Sequence, residues 1–139
     1  MNTPEQIEAH LNTLSEPKRK DIQALHQLIL QLFPGCKLWY FNGKNEEGKV
    51  IANPTLGYGN HTINYANGTS RDVFRIGLLA TQSGISIHIM GISDKLYLSN
   101  TFGQTIGKAK LTGYCISFKA LKDINISMLE SAIQYGMSL

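Results

Sequence analysis

The chain has 139 residues, 42% of them apolar and 17% charged, with a net charge of +3. That length suits one domain, residues 1–139, with one core, and the charge fraction, below the ~25% of ordinary soluble domains, leaves a surface of Asn, Ser, Thr, Gln and Gly. A balance of +3 excludes the basic excess of a dedicated nucleic-acid binder, and no apolar run approaches the ~20 residues of a membrane span.

The opening Thr3-Pro4-Glu5-Gln6 predicts a helix start, with Thr3 as cap, Pro4 in the first turn and Gln6 at the capping-box position. Ile7, Leu11 and Leu14 continue as an apolar stripe. Ser15-Glu16-Pro17 breaks this helix and starts a second, whose buried side is marked by Ile22, Leu25, Leu28, Ile29 and Leu32. Pro34-Gly35 ends it. Residues 36–41 read as a strand, 42–48 as a polar turn, and Val50 to Leu56 as an extended segment that Pro54 confines to an edge or a bend.

From Gly57 onward apolar residues recur at every second position. Ile63 and Tyr65, then Phe74, Ile76 and Leu78, then Ile85, Ile87 and Ile89, and finally Tyr114, Ile116 and Phe118 share the inward phase. Asn67-Gly68 and Ser83-Gly84 mark hairpin turns. A short helix is expected between Ser93 and Phe102, a glycine- and lysine-containing loop over 103–113, and a last helix capped by Asp123. This order predicts an α+β two-layer sandwich: an antiparallel sheet of about five to six strands, with the N-terminal helix pair and the C-terminal helix on one face. Phe74, Ile76, Leu78, Ile87, Ile116 and Phe118 are its expected core.

The other phase of the strands carries polar side chains. Arg75, His88, Ser86, Ser117 and Lys119 project toward an uncovered sheet face and form the candidate ligand-binding set. Arg75 stands between Phe74 and Ile76, where strand propensity does not call for it, and a guanidinium forks onto carboxylate or phosphate. A small anionic ligand or a protein partner is therefore expected at this face.

Other motifs carry less. Gly103 to Lys108 looks like a phosphate loop but has three residues between its glycines instead of four. Ala109 also follows the lysine where magnesium needs a hydroxyl. His10, His26, His61 and His88 have no ligand partner at close spacing, and the acids of the first two helices alternate with Lys18, Arg19 and Lys20. No metal site, catalytic residue or cofactor is expected from spacing. Cys36 and Cys115 lack a CxxC partner, and the polar N-terminus has no secretory apolar core, which predicts a cytoplasmic protein with reduced thiols.

Gly57-Tyr58-Gly59, Tyr65, Gly68, Phe74, Ile76-Gly77 and Ile85-Ser86-Ile87 together resemble the YdhG-like family of uncharacterised bacterial domains. So do the closing block, from Phe102-Gly103 through Gly107-Lys108, Gly113 to Ile116, Phe118-Lys119 and Leu121 to Asn125, and the opening helix pair with Leu14 and Pro17. The resemblance implies a frataxin-like helix–sheet sandwich. It also implies an alternative function as an iron chaperone, although frataxin-type iron binding uses an acidic ridge and this chain has a pI near 8.9. No iron ligands carry over; Glu5 and Glu8 are the acids by which such binding would be tested. A third reading is an enzyme using Cys115 or His88.

Overall fold

A six-stranded antiparallel sheet organises the molecule, described for residues 2–139 by a computed structural model. Helices α1 (Thr3–Leu11) and α2 (Lys18–Leu32) come first, followed by β1 (Leu38–Phe41), β2 (Thr55–Tyr58), β3 (His61–Asn64), β4 (Ser70–Val73), β5 (Ile76–Ala80) and β6 (Ile85–Ile89). The chain closes with α3 (Tyr97–Phe102), β7 (Lys110–Leu111), β8 (Cys115–Phe118), a 3-10 turn (Leu121–Asp123) and α4 (Ile126–Met137). The order across the sheet is β1-β2-β5-β6-β8-β7, and strands β3 and β4 pair only with each other, as a separate hairpin. The architecture is the α+β sandwich expected from the alternation of apolar residues.

One face of the sheet is covered. Leu56, Tyr58, Ile76, Leu78, Ile87, Ile89 and Ile116 have no exposed surface and pack with Leu25 and Ile29 of α2 and Leu129 and Ile133 of α4. Gly136 lets α4 approach the sheet closely: a Cβ there would stand 2.6 Å from Ile76 Cδ1 and 2.7 Å from Ile89 Cγ2. His26 of α2 lies 2.6 Å, within hydrogen-bond distance, from the Tyr58 hydroxyl, so the core's largest polar tip is satisfied. Burial pushes the Tyr58 phenol up and the His26 imidazole below its usual range, partly countered by Glu8.

Helix boundaries differ from the sequence reading in their caps. Asn2, not Thr3, caps α1, its side chain accepting from the Glu5 amide at 2.9 Å. Asn125, not Asp123, caps α4, and Asp123 lies in the preceding 3-10 turn. The helix expected from Ser93 begins only at Tyr97, as α3, and has no side-chain cap. Pro54 stands just before β2 rather than within it, which lets β2 pair on both sides, with β1 and β5.

The larger correction concerns residues 70–80. The apolar alternation through Phe74 reads as one strand, but the chain breaks at Phe74-Arg75, between β4 and β5. Phe74 is therefore not a core residue. It is half-buried on the opposite face, where Gly57 and Gly77 leave room for its ring: a Cβ at either glycine would meet Phe74 at 2.7 Å. Tyr65 and Tyr114 are exposed for related reasons, Tyr65 on the detached hairpin and Tyr114 just before β8.

Candidate functional site

The registers assemble the second face row by row. Gly57 pairs with Gly77, Gly77 with His88, and His88 with Cys115. The neighbouring row joins Leu79 to Ser86, Ser86 to Ser117, and Ser117 to Lys110. This alternation sets serines, a histidine and a cysteine opposite the apolar core, on strands held rigid by the packing behind them.

Three of the five sequence-predicted residues come together. Ser86, Ser117 and Lys119 line a cavity of about 340 Å3, joined by Thr81, Ser83 and Lys110 and by the apolar Ile85 and Phe118. The Ser86 and Ser117 hydroxyls lie 3.1 Å apart, and Ser117 Oγ is 3.2 Å from Cys115 Sγ. No acidic side chain lines this cavity. Among the described residues the only ion pair is Arg19–Glu16, so Lys110 and Lys119 are not neutralised by a carboxylate partner. The 81–84 turn is held at the cavity by backbone approach: a Cβ at Gly84 would meet the Phe118 carbonyl oxygen at 2.2 Å. The Lys18 ammonium, from the start of α2, donates to the Thr81 carbonyl and ties the turn from the other side.

Arg75 and His88 are placed elsewhere. The break at Phe74 sends the Arg75 side chain toward the end of α4, where its Nη1 donates to the Leu139 carbonyl. His88 lines a different cavity, of about 380 Å3, with Phe74, Met90, Ile92 and Tyr114. Its ring meets Tyr114 edge-on at 5.2 Å, and burial lowers its pKa from the usual histidine value. His88 and Cys115 are cross-strand partners, yet the hydrogen-bond neighbour of the Cys115 sulfur is Ser117.

Sequence reading missed Lys110, because Gly103 to Gly113 reads as a loop and the two-residue strand β7 is too short to show alternation. It also missed the adjoining cavity, about 660 Å3, lined by Pro17, Asp21, Lys108, Lys119, Ala120, Lys122 and Asp123. Lys119 belongs to both cavities. The glycine loop enters here by a different route from a phosphate cradle. Gly107 has φ +102°, and its missing Cβ lets the backbone press against the Asp123 carbonyl, to which Lys108 N–H donates at 3.1 Å. The amides of Thr105, Ile106, Lys108 and Ala109 are all spent on carbonyls, so the loop contributes a lysine side chain and no anion-binding nest.

Among the described residues no three His, Cys, Asp or Glu side chains come together as a metal-binding group. Glu5 and Glu8 are exposed on α1. Among the described residues no helix is long and apolar enough to cross a membrane. Comparison with protein-family models finds none that matches the chain, and comparison with curated proteins and with solved structures yields no match either.

Proposed function

We propose that this protein is a non-enzymatic, cytoplasmic binding module that holds a small anion at the Ser86–Ser117 end of its open sheet face. One observation carries the reading: two serine hydroxyls 3.1 Å apart share a cavity with two lysines and with no carboxylate. The Ser86 and Ser117 hydroxyls and the Cys115 thiol bring three donor protons to two mutual contacts, so one proton of the three is left to donate outward. An ammonium at the rim adds a point charge, and an anion completes both. The strands supply rigidity, so little ordering is needed on binding.

The YdhG-like resemblance is compatible with this reading, since it implies a fold and no reaction. The iron-carrier alternative is less supported, because Glu5 and Glu8 belong to no metal-binding group of side chains among the described residues. An enzyme using Cys115 would need a base on the thiol, and its neighbour is a serine.

The test is calorimetric titration of the protein with inorganic phosphate. Binding is expected, and Lys110→Ala and Lys119→Ala should each weaken it by about tenfold, or roughly 1.4 kcal/mol. Arg75→Ala should leave the affinity unchanged, since its guanidinium is engaged at Leu139. Phosphate binding that survives both lysine substitutions at full strength would place the anion elsewhere.

A further inference from the structure

We infer that the anion held at the serine end is the phosphate of a polyhydroxylated molecule, such as a sugar or polyol phosphate, whose body occupies the larger cavity beyond Lys119. The inference rests on the anion-binding reading and goes further by naming the ligand class. Lys119 is the residue the two linings share, so the two cavities meet at its side chain. Both volumes, about 340 and 660 Å3, fall in the range of small-molecule sites.

The two linings differ in kind, and that difference selects the body. The smaller cavity offers lysines and hydroxyls with no acid, as a phosphate head requires. The larger one sets Lys108, Lys119 and Lys122 against Asp21 and Asp123. A second phosphate there would face two carboxylates, whose repulsion offsets most of what the lysines add. A nucleoside base would need an aromatic side chain to stack on, and none lines this cavity, whose apolar surface comes from Pro17, Ala120 and the lysine stems.

Sugar hydroxyls fit the mixture. A carboxylate only accepts hydrogen bonds and an ammonium only donates them, whereas each hydroxyl does both. Asp21 already accepts from the Leu121 amide at 3.1 Å, which fixes its orientation. Asp123 has no side-chain partner among the described residues, although its backbone is pinned by Lys108. Adjacent hydroxyls of one ligand would donate to Asp123 and accept from Lys122 and Lys108.

The experiment titrates the full chain with inorganic phosphate, pyrophosphate, gluconate, glycerol 3-phosphate, ribose 5-phosphate and glucose 6-phosphate. At least one polyol phosphate should bind about tenfold more tightly than inorganic phosphate and than gluconate. Asp123→Asn should erase that advantage while leaving the phosphate affinity within about twofold. If that variant does not keep the parent's melting temperature, Lys122→Ala, on an exposed position of the same turn, makes the same comparison. Phosphate binding with no polyol phosphate any tighter overturns the inference and leaves the anion site standing. Pyrophosphate binding above all polyol phosphates, tightened further by Asp123→Asn, shows a second anion in the larger cavity and also overturns it. Gluconate binding above the polyol phosphates overturns the phosphate head, and no binding of inorganic phosphate ends both readings.

Discussion

The two ends of the open sheet face are built on the same strands and differ in what the neighbouring chain does to them. At one end Ser86 is buried and Ser117 half-buried in a cavity they share with Ile85 and Phe118, and Lys110 and Lys119 stand around them. At the other, Gly57 and Gly77 provide a flat floor, and Phe74 folds over it beside His88 and Tyr114. The alternation that exposes polar residues is identical at both. Side-chain size at two glycine positions decides which end stays polar and which becomes an aromatic pocket.

Three experiments test how separate these ends are. The largest effect is expected at Ile87, which lies behind both, fully buried between Ile116 and Leu78 in register. Ile87→Ala should cost about 2–5 kcal/mol in denaturant unfolding, through lost burial and the cavity left behind. A loss below about 0.5 kcal/mol, the level of a surface change, would mean the two faces have been exchanged.

Gly57→Ala acts on one end alone. Its Cβ would meet Phe74 Cβ and ring carbons at 2.7 Å, near the root of the side chain, so the ring must leave its floor. A cost of about 1–3 kcal/mol is expected from overpacking. Phosphate affinity at the serine end should stay within about twofold of the parent. A tenfold loss of phosphate binding would show that the two ends are one coupled site.

The smallest effect is in pH dependence, and it separates the ends by chemistry. No histidine lines the serine end, whereas His88 lines the aromatic end. Burial lowers the His88 pKa below 6.5, as it does for His26 in the core and His10 on α1. A lowered histidine pKa means that the native state disfavours the proton. The stability it contributes is complete above 6.5 and is lost as pH falls through the lowered native values. The melting temperature should therefore drop on acidification below about pH 6.5, and His88→Gln and His26→Gln should each flatten part of that drop. A melting temperature that rises on acidification would contradict the burial of these rings.

Pairs of residues show what was legible before the structure. Ile76 and Leu78, Ile85 and Ile87, and Ile116 and Phe118 sit on the covered face, as period-two spacing requires. Ser86 and Ser117 share a cavity because each stands one residue from such a pair, and pleating turns that offset into the opposite face. Phe74 obeyed the same spacing and was misplaced by it, since alternation holds only while the strand is unbroken. Arg75 was carried along by that error to the end of α4.

The sequence by itself determined the elements and the two faces of each strand, because side-chain direction follows locally from backbone geometry. Only the tertiary structure decided where the strand breaks, that β7 brings Lys110 opposite Ser117, and that the glycine loop lays Lys108 beside Lys122 and Asp123. Those outcomes depend on contacts between segments distant along the chain: Phe74 over Gly57, and Gly107 against Asp123. No local pattern encodes the empty space at a glycine that another segment will fill.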